Sequence, residues 1–175
     1  MTAAERKDLR QTDLKSFEEA RVAFTDAIAS APEEALGYLK PGDDYALGGL
    51  VFHVNAVLEH YCVVLGALLE AGFGAVSPAD PPGLFETANA RAKEGLPPEQ
   101  RAGALDEVKR QHDAMASSLG AVPDADWNRK AAVRYQPGSD PFPTSPADIA
   151  GWVTDHYLEH VPHVSQLLAD WRAAR

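Results

Sequence analysis

The chain has 175 residues, of which 45% are hydrophobic, and its formal net charge is −10. This length and apolar content predict one folded domain over residues 1–175, and they exclude a wholly disordered chain. The acidic charge argues against nucleic acid and anionic membrane surfaces as partners, since both attract basic proteins. No uninterrupted run of 18 apolar residues occurs, so the sequence predicts no membrane span.

The sequence also predicts a cytoplasmic protein. Cys62 is the single cysteine, so no internal disulfide can form within one chain. The first 20 residues are rich in charged side chains and lack the apolar segment of a secretory signal peptide. Both features are typical of proteins that remain in the cytoplasm.

Hydrophobic periodicity predicts an all-α fold, a four-helix bundle with no strand ladder. The four long helices are expected over residues 3–31, 44–71, 98–119 and 146–173. Asp43 or Asp44 is expected to cap the second helix. Ser145 is expected to cap the fourth, with Pro146 in its first turn and Asp148 near the positive end of the helix dipole.

Two of the connections between these helices are long. Residues 73–97 are rich in glycine, proline and alanine and are expected to hold a short helix near 83–94. Residues 121–144 also carry several prolines. A long connection lets the chain cross the bundle, so the second and third helices are expected to run parallel. Long loops in compact domains are frequently functional, and these are expected to form walls of a site.

Three histidines occupy the face of the fourth helix that should be apolar. The residues that recur there at alternating spacings of four and three are Ile149, Val153, His156, His160, His163 and Leu167. This spacing is typical of the buried face of an amphipathic helix. Burying an imidazole costs free energy unless its nitrogens are hydrogen-bonded or ligated. A metal ion would satisfy them.

The spacing of the histidines predicts a catalytic metal site. His156 and His160 lie four residues apart, so both side chains can reach one ion. A third ligand has to come from another helix, and either His53 or His60 of the second helix is placed to supply it. Three neutral nitrogens leave coordination positions open for water and substrate, as in catalytic rather than structural sites.

The other metal-binding or reactive side chains are interpreted as structural. His112 and His163 are expected to be core or supporting residues, and His60 stays open between support and ligation. Cys62 follows His53 by nine residues, which places it half a turn away on the helix. It is therefore interpreted as a packing residue, neither ligand nor nucleophile.

Three segments of the chain resemble the DinB/YfiT-like (damage-inducible) family of four-helix bundles. They are Ala31-Pro-Glu-Glu-Ala-Leu with Lys40-Pro-Gly, Leu50-Val-Phe-His53, and Trp152-Val-Thr-Asp-His156-Tyr-Leu-Glu-His160. In that family the second helix supplies one metal ligand and the last helix supplies two, spaced H-x₃-H. The resemblance therefore implies ligation by His53, His156 and His160. It also implies an up-down-down-up bundle with a long crossover between helices 2 and 3.

The resemblance extends to cofactor, partners and activity. Members are commonly homodimers that bind a divalent ion, reported variously as zinc, nickel, iron or manganese, so the resemblance implies a bacterial homodimer with one divalent ion. Some are S-transferases or isomerases that use a low-molecular-weight thiol. The chain departs from the family at His163, where members often have glutamine, and at Tyr45, where they often have tryptophan. Pro162 is expected to kink the last helix beyond His160.

Three functions fit these observations. The first is a metal-dependent thiol transferase acting on a small molecule, in which the ion holds a cofactor thiol as thiolate. The second is a metal-dependent hydrolase. The third is a non-catalytic, stress-associated binding bundle whose histidines are structural. Asp155 and Glu159 flank the ligands and could move protons. The loop cations that could bind an anionic cofactor are Arg91, Lys93, Arg129, Lys130 and Arg134.

Overall fold

Residues 2–175, which the computed structural model describes, form five α-helices and two short strands. The helices are α1 (Ala3–Ala29), α2 (Leu50–Glu70), α3 (Leu84–Glu94), α4 (Arg101–Gly120) and α5 (Pro146–Ala173). The strands are β1 (Ala131–Val133) and β2 (Phe142–Thr144). The fold is therefore mostly helical, as the periodicity predicts, and α3 is the short helix expected near 83–94. Two 3₁₀ turns, Glu33–Ala35 after α1 and Pro98–Gln100 before α4, complete the helical elements.

The four long helices enclose one apolar core. α1 packs mainly on α5, α2 packs mainly on α4, and further contacts join α1 to α4 and α2 to α5. α3 packs on α2. Each long helix turns its apolar residues inward, and the largest side chains that are fully buried include Phe17, Phe24, Leu58, Leu65 and Tyr157. Burial of such side chains is the main source of stability in a bundle of this size.

The second helix begins later than the sequence predicts. α2 starts at Leu50 rather than at residue 44, its N-cap residue is Gly49, and no side chain caps it, so the expected cap by Asp43 or Asp44 is wrong. The residues before Leu50 are held by tertiary backbone contacts instead of a helix. A Cβ atom at Gly49 would lie 2.0 Å from the carbonyl oxygen of Ala92, so only glycine permits this close approach.

The segment before α2 is paired with two other parts of the chain. The N–H of Leu47 donates to the carbonyl of Tyr38, at 2.9 Å. The N–H of Ala46 donates to the carbonyl of Ala92 in α3, at 2.8 Å. These bonds satisfy backbone groups that would otherwise favour an extra turn of helix. They also fix Tyr45 beside the start of α2.

The start of the last helix is as the sequence predicts. The Ser145 hydroxyl accepts a hydrogen bond from the N–H of Asp148 at 3.2 Å, and the Asp148 carboxylate accepts one from the N–H of Ser145 at 2.7 Å. This reciprocal capping box satisfies two backbone donors of the helix. Pro146 occupies the first turn, and α5 continues through Pro162 to Ala173.

The connection between α4 and α5 contains a strand pair that the sequence does not predict. β1 and β2 are antiparallel, with Ala131 opposite Thr144. Val76, from the connection after α2, adds a parallel bridge to Val133. The expectation of no strand ladder is wrong here because three-residue strands are too short to show an alternating pattern. The small sheet ties the two long connections together.

α2 is apolar enough, by length and composition, to cross a membrane, and it is alone in this among the helices of residues 2–175. A core helix of a folded bundle passes the same test. In this structure α2 packs against α3, α4 and α5. The residues that it buries are Leu50, Val51, Phe52, Val54, Ala56, Leu58, Val64, Leu65 and Leu68.

His112 lies inside the bundle and confirms its interpretation as a core residue. Its side chain is 1% exposed, and its ring stacks on Phe17 with 4.0 Å between the ring centroids. The Nε2 atom lies 2.9 Å from an Oε2 of Glu18, without the alignment of a good hydrogen bond, and Nδ1 lies 3.4 Å from the hydroxyl of Tyr157. Burial lowers the pKa of His112 to about 4, although the charge of Glu18 opposes this.

Acid is expected to destabilise the fold through His112. Its pKa is about 4 in the folded chain and about 6.5 in an unfolded chain. The folded state thus binds fewer protons below pH 6.5, and the free energy of unfolding falls as the pH decreases from there to about 4. We expect the loss between pH 7 and 4.5 to be smaller in a His112→Leu variant by about 2 kcal/mol.

Urea unfolding of both proteins at the two pH values measures this difference. The comparison uses the pH-dependent change within each protein, so any effect of His112→Leu on stability at pH 7 cancels. An equal loss in the two proteins would contradict the assignment of acid sensitivity to His112.

Candidate metal centre

Three histidines from two helices converge between α2 and α5. His53 lies in the first turn of α2, and His156 and His160 lie one turn apart on α5. One ring nitrogen from each lies within 4.8 Å of the other two. The ring centroids are 4.5 Å apart for the α5 pair, and His53 is 5.0 Å from His156 and 5.3 Å from His160. Nitrogens bound to one ion at about 2.1 Å lie roughly 3–4 Å apart, so small ring rotations suffice to bring them together.

The nitrogens of this cluster lack hydrogen-bond partners. Among residues 2–175, buried ring nitrogens without a partner include Nδ1 of His53, Nε2 of His156 and both nitrogens of His160. The His160 side chain is 5% exposed, and the other two rings are half-buried. An unsatisfied buried polar atom costs about 1–3 kcal/mol. Imidazole nitrogens in this arrangement fit a divalent transition-metal ion.

The environment keeps the three rings unprotonated at neutral pH. Burial lowers the pKa of His156 to about 4 and that of His160 to about 3, and the neighbouring histidines act in the same direction. Burial also lowers the pKa of His53, against smaller opposing contributions from Asn89 and Glu159. Neutral imidazole is the form that binds metals.

Aromatic side chains form the walls of the cluster. Tyr45 stacks on His53 with 4.5 Å between ring centroids, and its edge faces His160 at 6.3 Å. Phe24 of α1 lies 6.4 Å from His160 on the buried side. Such walls exclude water from one side of the imidazoles and strengthen electrostatic interactions there. Asn89 of α3 is the polar neighbour of His53 that the sequence did not single out, because α3 is short and lacks a strong pattern.

Two further histidines lie close by but outside the cluster. The Nδ1 atom of His60 is 2.8 Å from an Oδ1 of Asp80, and its ring lies against Phe85 and Tyr135. The structure thus places His60 in a contact between α2 and the connection after it. The ring of His163 stacks on that of His160 at 5.7 Å, one turn further along α5. It flanks the three-histidine cluster and does not join it.

Four of the five predicted anion-binding cations have other contacts. The Arg91 guanidinium lies 3.7 Å from the centroid of the Phe52 ring. The other three form salt bridges, which are Lys93 with Asp44, Arg129 with Asp126 and Lys130 with Asp148. These contacts join the four cations to Phe52 and to three carboxylates.

Two acids flank the α5 histidines in the sequence, and the single thiol lies further along α2. Asp155 and Glu159 are exposed on α5, and Glu159 acts on His53 through its charge. Cys62 is half-buried, and burial raises the pKa of its thiol. A raised pKa lowers the thiolate fraction at neutral pH, so Cys62 is poorly suited to be a nucleophile or a metal ligand.

An aromatic depression lies further along the same pair of helices. It has a volume of about 390 Å³ and is lined by Tyr61, Tyr135, Phe142 and Trp152. Trp152 lies one turn before His156 on α5. The sequence did not reveal this depression, because two of its side chains come from the connection that forms β1 and β2.

Comparisons with known proteins identify the family and the fold of the chain. The sequence profile of the DinB superfamily matches residues 16–164. A comparison with curated protein sequences finds no match. YfiT from Bacillus subtilis, described as a probable metal-dependent hydrolase with an unusual four-helix bundle topology, has 17% identity and a TM-score of 0.70 over 94% of this chain and 89% of its own.

A second solved structure is a mycothiol-dependent maleylpyruvate isomerase, with 10% identity and a TM-score of 0.62 over 92% of this chain. An alanine mutant of such an isomerase gives a TM-score of 0.63. This chain spans 60% of the isomerase chains. At identities this low, the structural similarity shows a shared fold and not a shared function. The match of the family profile over most of the sequence shows that the chain belongs to the DinB superfamily.

Proposed function

We propose that the chain is a metal-dependent enzyme of the low-molecular-weight-thiol S-transferase type, with one divalent ion held by His53, His156 and His160. The observation that carries this proposal is the convergence of their unpartnered ring nitrogens. When bound, such an ion acts as a Lewis acid that lowers the pKa of a coordinated thiol or water. Three imidazoles suit zinc, nickel, iron and copper alike, so the residues do not select one metal.

The protein's own residues would position the substrate and limit water. The histidines are fixed on helices, which hold a site more precisely than loops do. Tyr45 covers one face of His53, and Phe24 closes the inner side. An aromatic depression lies around Trp152, one turn before His156 on α5, and it suits an apolar part of a small-molecule substrate.

A small thiol is favoured because the chain supplies no sulfur nucleophile of its own. Cys62 has a raised thiol pKa and is not among the clustered ligands. The structural similarity to a thiol-dependent isomerase supports the same proposal. Metal-dependent hydrolysis is the second candidate, supported by the similarity to YfiT over nearly the full length of both chains.

The proposal includes the up-down-down-up order of the four long helices. Arg10, early in α1, donates to the carbonyl of Gly120 at the end of α4, at 3.2 Å. Arg101, at the start of α4, donates to the carbonyl of Ala31 just after α1, at 2.6 Å. Contacts at both ends support an antiparallel pair.

The pairing of α2 with α5 supports the same order. His53, near the start of α2, lies beside His160. Tyr61, just over two helical turns further along α2, lies 5.9 Å from Trp152, which precedes His160 on α5. We also propose that residues 1–175 form one DinB-like domain that acts as a cytoplasmic homodimer. The family membership supports this proposal.

Metal content tests the site directly. We expect about one equivalent of divalent metal in purified, untagged protein and almost none in a His156→Ala/His160→Ala variant, because the variant keeps only one of the three imidazoles. Elemental mass spectrometry of protein expressed without metal supplementation makes the measurement. His60→Ala is the matched control, since it removes a histidine of α2 that bonds to Asp80 outside the cluster. Metal-free protein in all three samples, with unchanged helical content, would overturn the metalloenzyme proposal.

A cobalt-loaded sample separates the two candidate reactions. With 2-mercaptoethanol we expect a sulfur-to-cobalt charge-transfer absorption in the near ultraviolet, because an open coordination position accepts the thiol. Ethylene glycol, in which a hydroxyl replaces the thiol, is the control and should give none. Absence of the band with the thiol, together with hydrolysis of an activated ester by the same sample, would favour the hydrolase instead.

A further inference from the structure

A second cleft lies on the other side of α2, between α2, α3 and α4. Its volume is about 670 Å³, which is in the range of small-molecule sites. Within residues 2–175, no histidine lines it. Four side chains of α2 face it at helical spacing, and they are Phe52, Asn55, Ala56 and Glu59. The cleft is therefore separate from the three-histidine cluster, although both use α2.

Part of the cleft lining is apolar. Phe52 and Ala56 of α2, Ala88 of α3 and Ala104 of α4 supply small or flat surfaces there. Gly103 of α4 also lines it, and a Cβ atom at this position would meet nothing within 4 Å. This surface is suited to cover the hydrocarbon part of a ligand.

One end of the cleft is rich in hydrogen-bond acceptors. The Oδ1 atom of Asn55 and the Oε1 atom of Gln111 are buried without a hydrogen-bond partner among residues 2–175. Glu59, one turn after Asn55 on α2, and Glu107, one turn before Gln111 on α4, also line the cleft. The Gln111 side-chain amide already donates to Glu107, at 2.7 Å. Because buried acceptors are normally satisfied, this end favours a ligand that donates several hydrogen bonds.

The negative charge at this end is only partly balanced. Glu107 forms a salt bridge with Arg110, whose charge also acts on Glu59, but no salt bridge in residues 2–175 involves Glu59 itself. The cleft's one cationic residue in the described part of the chain is Arg91, whose guanidinium is stacked on the Phe52 ring at 3.7 Å. Phe52 precedes Glu59 by seven residues, about 10 Å along the helix, so Arg91 lies towards the opposite end.

We propose that this cleft binds a small organic cation, with an ammonium or guanidinium head and an apolar body. The head donates hydrogen bonds to Asn55 and Gln111, and its charge is balanced by Glu59. The body lies on the alanine surface between α2 and α4. A cation that leaves water is bound only where buried acceptors and a carboxylate replace its hydration, and this end supplies both.

Calorimetric titration with 2-phenylethylammonium tests the charge preference. The matched probe is 3-phenylpropanoate, which has a similar shape and the opposite charge. We expect the ammonium to bind in the micromolar to millimolar range and at least tenfold more tightly than the carboxylate. Glu59→Gln is expected to weaken the ammonium at least tenfold, while Asp106→Asn, which removes an exposed acid of α4 outside the cleft, leaves it unchanged.

A second pair of variants tests the location. Gly103→Phe places a ring where there is open space and should abolish binding, whereas Gly151→Phe, an equally open glycine of α5 outside the cleft, should not. Binding should persist in the His156→Ala/His160→Ala variant, which separates this proposal from the metal site. Equal binding of the two probes, unchanged affinity in Glu59→Gln or Gly103→Phe, or no ammonium binding in the millimolar range would overturn it.

Discussion

Imidazole buried between α2 and α5 is the constraint on which the rest of this structure depends. Four ring nitrogens of His53, His156 and His160 lie there without hydrogen bonds among residues 2–175. At about 1–3 kcal/mol for each unsatisfied atom, their cost is comparable to the net stability of a whole domain, about 5–15 kcal/mol. Burial of histidine at the centre of the apolar face is therefore best explained by ligand binding.

α2 is the element that the two candidate sites share. His53 faces α5, while Asn55 and Glu59 face α3 and α4, and the rest of the helix is almost entirely apolar. α3 is the common wall, since it supplies Asn89 beside His53 and Arg91 beside Phe52. Gly49, the N-cap residue of α2, allows the backbones of α2 and α3 to come into close contact. A ligand that shifted α3 would therefore change the surroundings of both sites, which lie on opposite sides of α2.

The sequence predicted most where a local signal and the tertiary structure agree. The last helix is an example, because Ser145, Pro146 and Asp148 define its start and the spacing of His156 and His160 is read directly from the chain. The predicted start of α2 was wrong because a backbone hydrogen bond from Ala46 to Ala92 replaces a helical turn there. No local sequence pattern encodes that contact. The second cleft was also missed, since it arises only when three helices pack together.

The two similar structures differ in their described reactions, so the shared bundle does not decide the chemistry. What the bundle fixes is the position of three imidazoles, because residues one turn apart on a helix move together. The walls come from other parts of the chain, namely the loop that holds Tyr45 and the turn of α5 that holds His163. These are the positions at which this chain departs from the family pattern. The ring centroids of Tyr45 and His163 lie 6.3 Å and 5.7 Å from that of His160, so these two side chains set the shape and polarity of the space beside it.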